Sequence, residues 1–223
     1  LRVGRSLRAT VTRRIAGGEG ASLEFKSGLP GPGKLARTLA AFANSRGGLL
    51  LIGVADDRTV VGAPRPQESA RELRRIAAEE VEPPLEPHVA VVSLRAGSQA
   101  RPVVAAWQPR SPQRPHQVLD SEGEPELPVR VGASNRVATG ATLRALREGP
   151  GPGPRDALEK RVLEWVARRP DARRGGGNGA TAEAFAAEHN IGLARARKVF
   201  LALERGGHLF GSGEGPGRFF CCP

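Results

Sequence analysis

The sequence predicts a mixed α/β (α+β) sheet domain followed by a small helical domain that ends in a β-hairpin. Three observations carry this. Apolar strand-like runs alternate with amphipathic stretches as far as Arg147, the pattern of a sheet with helices packed on it. Gly149–Pro154, GPGPGP, then interrupts, since glycine and proline alternating over six residues continue neither helix nor strand. Beyond it, helical patterns succeed one another up to Gly206-Gly207. The predicted division is a first domain over 1–148, a linker over 149–155 and a second domain over 156–223.

In chain order, Arg8–Ala16 reads as a helix ending at Gly17-Gly18. Ser22–Lys26 sets Leu23 and Phe25 against Glu24 and Lys26, the alternation of a half-buried strand. Lys34–Asn44 stripes Leu35, Leu39 and Phe42 along one helix face, and Gly47-Gly48 follows its end. Leu49–Val54 is apolar on both faces, as a central strand requires. Asp56-Asp57 turns the chain into a short strand at Thr59–Val61. Ala70–Glu80 is a charged helix, Val89–Leu94, Val103–Trp107 and Pro128–Gly132 are strands, and Thr142–Arg147 closes the domain as a helix.

After the linker, Asp156–Arg169 carries Leu158, Val162, Trp165 and Val166 on a helix. Pro170–Ala180 reads as a flexible loop. Thr181 is an N-cap for a helix running to His189, and Asn190–Gly192 turns into a third helix over Leu193–Glu204. His208–Phe210 and Arg218–Phe220 flank a glycine-rich loop. Helix, helix–turn–helix and hairpin is the order of a winged helix. Its third helix would offer Arg195, Arg197 and Lys198 to a major groove. Units of this order also serve to pair proteins.

Charge sharpens the expectation. The chain of 223 residues carries 34 Lys+Arg against 23 Asp+Glu, a net charge of +11, and only Lys26, Lys34, Lys160 and Lys198 of the cations are lysines. Guanidinium groups suit bidentate contact with phosphate, so a polyanion, above all nucleic acid, is the expected partner. A GC-rich gene would also write arginine, alanine, glycine and proline freely. The two cysteines, Cys221 and Cys222, are adjacent and cannot staple distant segments. They read as a frayed tail in a reducing compartment. No histidine–cysteine spacing suits zinc, and no apolar run reaches the ~18 residues of a membrane helix. An intracellular location (cytoplasm or nucleoid/nucleus) is therefore expected, with no membrane partner. With no methionine at all, the chain is expected to be a piece of a longer one.

Chemistry concentrates in Glu19–Lys34, EGASLEFKSGLPGPGK. Gly28 to Gly33-Lys34 stands between a predicted strand and a predicted helix, the setting of a phosphate-binding loop. Against that reading, Leu35 replaces the hydroxyl residue that would hold magnesium, and Pro30 and Pro32 lack amide hydrogens. No ATP is expected. Carboxylates form the second reading. Glu19 and Glu24 would stand about 17 Å apart on a straight strand, so they meet only if the chain turns near Gly20. Asp56 joins them if the central strand pairs beside Ser22–Lys26. Three such acids suit a hard divalent cation, Mg or Mn, with Lys26 neutralising charge on phosphate. In the third reading Glu19 caps a turn, Glu24 pairs with Lys26 or an arginine, and Asp56 is a turn residue.

Glu19-x-x-x-x-Glu24-Phe25-Lys26, Ala41-Phe42-Ala43-Asn44-Ser45-x-Gly47-Gly48 and Ile52-Gly53-Val54-x-Asp56-Asp57 with Val61-Gly62 resemble the Schlafen Alba-like domain. Val129-Arg130-Val131-Gly132-Ala133-Ser134-Asn135 with Ala138-Thr139 resembles the segment that ends it, so the resemblance spans roughly 5–148. It implies a fold with nucleic-acid affinity. In Schlafen proteins of animals it also implies a metal-dependent ribonuclease site acting on structured RNA such as tRNA, with Glu19, Glu24 and Asp56 at the matching places as catalytic and metal-binding residues. Two departures stand out: the animal core pairs two lobes and holds zinc, whereas this chain offers one lobe, expected to pair in a homodimer or hetero-oligomer, and no zinc is expected. One-lobe relatives with an appended helix–turn–helix look like regulators. The leading expectation is thus a DNA-binding regulator. Its phosphate contacts would be Arg13, Arg14, Lys26, Lys34, Arg46, Arg130 and Arg136, and its base contacts Arg195, Arg197 and Lys198. The alternatives are a metal-dependent endoribonuclease and a protein-interaction module.

Overall fold

The computed structural model describes residues 2–138, 140–149, 151–169, 180–212 and 218–222. Outside them lie most of the predicted loop Pro170–Ala180, the centre of the glycine-rich loop after Phe210, and Thr139 of the family-like segment.

Four strands form the main sheet in the order β1-β2-β4-β3: β1 (Leu23–Lys26), β2 (Gly48–Ile52), β3 (His88–Ala96) and β4 (Gln99–Gln108). β1 and β2 run parallel, with Glu24 beside Leu50 and Lys26 beside Ile52, and the other neighbours are antiparallel. A parallel pair needs a crossover, and α2 (Pro32–Asn44) supplies it. α1 (Arg2–Gly17) seals one sheet face by setting Val11 and Ile15 on Leu23, Phe25, Leu49 and Leu51. α2 and α3 (Pro66–Glu79) cover the other face, packing Leu39, Phe42, Leu73 and Ile76 on Leu50, Ile52 and Val104. With helices on both sides, β2 is buried at every residue, which explains its unbroken apolar run. Gly48 lets α2 approach: a Cβ there would stand 2.2 Å from the Phe42 ring. Gly53 makes the turn after β2 at φ +100°, where a Cβ would strike the Ala63 backbone at 2.4 Å.

The expected strand at Thr59–Val61 amounts to a single bridge between Val54 and Val60. The expected strand at Pro128–Gly132 forms as β7 (Pro128–Val131), and three short strands go beyond the sequence reading: β5 (Val118–Leu119) and β6 (Pro125–Glu126), which pair with each other, and β8 (Ser134–Val137), which pairs with β7. α4 (Gly140–Glu148) follows.

Asp156 opens α5 (Ala157–Arg168) by accepting the Leu158 and Glu159 N–H groups, each at 2.8 Å. Thr181 caps α6 (Ala182–His189) by accepting the Ala184 N–H at 3.1 Å, as expected. Asn190, at φ 50°, turns the chain into α7 (Leu193–Arg205), and β9 (Phe210–Ser212) pairs antiparallel with β10 (Phe219–Cys221). Trp165, Phe185, Phe200 and Phe220 form this unit's aromatic core, Trp165 meeting Phe185 edge-on at 5.2 Å. Phe210 and Cys221 also pack against Val129, Val131 and Leu146, which joins this unit to the first. Cys221 is therefore not a frayed tail: it is a buried strand residue whose Sγ lies 3.7 Å from the Arg130 carbonyl. Among the described residues no helix is long and apolar enough to cross a membrane.

Candidate nucleic-acid interface

The chain does turn at Gly20. Gly20 and Leu23 bond each other's backbone, N–H to carbonyl at 3.0 and 3.4 Å, and this folds Glu19 back alongside β1. The Glu19 carboxylate accepts the Phe25 N–H at 2.7 Å. Its acidity is weakened first by burial, then by the nearby Glu24 and Asp56 carboxylates, against the opposing pull of the Phe25 N–H and Lys26. Glu24 and Asp56 thus lie near enough to Glu19 to oppose its ionisation.

Glu24 is committed elsewhere. Its Oε2 accepts from Arg130 Nη2 at 2.6 Å and its Oε1 from Lys26 Nζ, with the Arg130 side chain only 1% exposed. Arg130 also donates to the Gly20 carbonyl at 2.9 Å and to Asn135 Oδ1 at 2.9 Å, and lies over the Phe42 ring. The expectation that Arg130 contacts phosphate is corrected: β7 is sandwiched between α2 and the C-terminal hairpin, so its arginine points into protein and meets Glu24. Among the described residues no group of three or more His, Cys, Asp or Glu side chains is placed to hold a metal ion. With both Glu24 oxygens engaged by cations and Glu19 holding an amide, this donor set does not fit a divalent ion as it stands, and no chemical step is routed through one.

The surrounding cations differ in placement. Arg13 is exposed near the end of α1; Arg14 donates to the Ser22 carbonyl at 2.6 Å and so flanks the start of β1. Arg58, which the sequence did not single out, bonds the Ala16 carbonyl at 3.1 Å and sets its guanidinium beside Gly18. Arg14, Lys26 and Arg58 therefore gather around the start of β1, while Arg13, between the buried Val11 and Ile15, faces away from the sheet on the outer side of α1. Lys34 and Arg46 are exposed, but stand at opposite ends of α2 on the other layer, about 18 Å apart. Arg136 is exposed on β8. On α7, Arg195 and Lys198 are exposed and share a helix face, whereas Arg197 is bonded to Glu183 at 2.8 and 3.0 Å.

The Asn44-Ser45 pair is a structural knot. Asn44 is fully buried, donates to the His116 and Pro128 carbonyls at 2.7 and 2.8 Å, and accepts the His116 N–H at 2.7 Å. Ser45 Oγ accepts the Arg130 N–H at 2.8 Å. These two residues seat β7, and β7 delivers Arg130 to Glu24.

Glu19 yields a pH prediction. An acid whose folded pKa lies above the ordinary 4.5 holds its proton more tightly folded than unfolded, so its ionisation costs the fold stability as pH rises past that value. Glu19→Gln keeps an oxygen for the Phe25 N–H and removes the charge. Its unfolding midpoint should exceed the parent's at neutral pH, the difference closing below pH 4.5. A variant less stable than the parent at neutral pH would contradict this.

Residues 19–139 match the family described as Schlafen, AlbA_2. Among solved structures, the N-terminal domain of a RecG-related protein from Nitrosomonas europaea is 24% identical, over 52% of this chain and 82% of that one, with a TM-score of 0.37. The DIP2311 protein from Corynebacterium diphtheriae is 19% identical over 65% of this chain, with a TM-score of 0.40, and this chain spans 34% of its length. No curated protein matches.

Proposed function

From the premise that this chain belongs to the Schlafen AlbA_2 family, which points to a nucleic-acid-related role, we propose that it binds nucleic acid, as a DNA-binding regulator. Residues 1–148 supply a basic edge and residues 156–223, read as a winged helix, a second contact through Arg195 and Lys198. One observation carries the reading. Glu24 on β1 is neutralised from within by Arg130 and held on its other oxygen by Lys26, while Arg13 and Arg58 stay exposed on α1 and in the turn that meets its end. Such an edge attracts phosphate and has little capacity left to hold a cation.

Anisotropy titration of labelled duplex DNA and of structured RNA tests this, with affinity expected to fall steeply as salt is raised. The nearness of the Glu24 and Asp56 carboxylates to Glu19 is the feature that favours the nuclease reading. It is tested on the same RNA with manganese, where the binding account expects intact RNA and cleavage lost on Glu24→Ala with binding retained would replace it. Absence of binding to either polymer would leave a protein-interaction module.

A further inference from the structure

We infer that the cleft where the β7–β8 hairpin meets the C-terminal hairpin is a phosphate-binding site. The cleft has a volume of about 250 Å³, and Arg136, Arg205 and Arg218 line it, with Glu204 their one acidic companion among the described residues. A water takes about 30 Å³ of liquid volume, so a phosphate group fits together with solvent.

The three guanidinium groups are unequally used. Arg218 Nη2 bonds Glu204 Oε1 at 2.5 Å and its plane lies over Phe220, which fixes its orientation. Its Nε is buried without an acceptor, and a buried N–H left unpaired calls for an oxygen. Gly211 makes room for this pair: a Cβ there would stand 2.5 Å from Glu204 Oε1 and 2.8 Å from Arg218 Nε. Arg205 makes one bond, a long one of 3.3 Å from Nε to the Leu201 carbonyl. The Arg136 side chain has no hydrogen-bond or ion-pair partner among the described residues. Among the described lining residues, three positive charges stand against one negative, two of the guanidinium groups with their forks unspent, which makes a receptor for a tetrahedral oxyanion.

Arg205 and Arg218 lie outside the segment that matches the family. The site therefore arises from the way this chain docks its C-terminal unit, and it stands independently of the nucleic-acid reading. A free phosphate and a polymer backbone share the chemistry, so the experiment separates them.

The full chain and its Arg136→Gln and Arg205→Gln variants, both at exposed positions, are titrated calorimetrically with inorganic phosphate and pyrophosphate at constant ionic strength. A labelled oligonucleotide forms the parallel arm, and unfolding midpoints confirm that each variant is folded. Each substitution is expected to weaken binding about tenfold, as removal of a charge-assisted hydrogen bond does. Weakening in the phosphate arm assigns a small phosphate ligand. Weakening in the oligonucleotide arm alone assigns the polymer backbone. If folded variants bind both as the parent does, or if the parent binds phosphate in neither arm, the site is overturned. Variants that bind phosphate, pyrophosphate and oligonucleotide all as the parent does would overturn this site while leaving the nucleic-acid reading intact.

Discussion

Arg130→Met should destabilise the protein by about 3–5 kcal/mol, the range for stripping one partner from a buried ion pair. The methionine fills the space but leaves Glu24 Oε2 and Asn135 Oδ1 without their donor, and the Gly20 carbonyl with only the 3.4 Å bond from the Leu23 N–H. Lys26 still holds the other Glu24 oxygen, which keeps the loss from running higher. For a chain of this size, each kcal/mol moves the midpoint by about 2–4 °C, so thermal unfolding followed by circular dichroism should drop by roughly 10 °C. Pairing it with Glu24→Gln should recover part of the loss, since the residues are coupled and the amide carries no stranded charge. A change below about 1 kcal/mol would show that the pair is not what ties β7 to β1.

Asn44→Ala should cost about as much by another route. The substitution strands one N–H and two carbonyls, at His116 and Pro128, in the interior, and each orphaned group costs about 1–3 kcal/mol. The expected total is about 3–5 kcal/mol, at the exceptional end for single substitutions. His116 shares that buried environment: burial lowers its pKa, its Nδ1 lies 2.7 Å from the Pro83 carbonyl, and its Nε2 has no partner among the described residues. Equilibrium unfolding in guanidinium measures the effect. A midpoint within experimental error of the parent's would contradict the knot.

These two residues also show where reading the sequence succeeds and where it stops. The main-sheet strands and the helices declare themselves through local signals: alternation at Leu23–Lys26, an unbroken apolar run at β2, a cap at Thr181. Two-residue strands such as Val118–Leu119 carry no period, and the polar run Ser134–Val137 hides a strand whose pairing is set by the turn before it. Arg130 stands between two valines and reads as the outward residue of a half-exposed strand. Its burial comes from Glu24, 106 residues earlier in sequence, and from a C-terminal hairpin whose packing no local pattern announces. Asn44 lies within a family-like motif, but nothing in the motif says that its partners are backbone atoms 72 and 84 residues away. Arg58 escapes a sequence reading because only a fold that sends the turn after β2 back to the end of α1 sets it against Ala16 and Gly18.

The central claim is that nucleic-acid phosphates are held at the β1 edge by cations whose acidic neighbours are already satisfied. Its most direct test is the slope of log affinity against log salt for duplex DNA, measured for the parent and for the Arg13→Gln/Arg58→Gln double variant. The account predicts a slope shallower by about 2, near 0.9 for each phosphate that is no longer neutralised, together with weaker binding at low salt. An unchanged slope at unchanged affinity would contradict it.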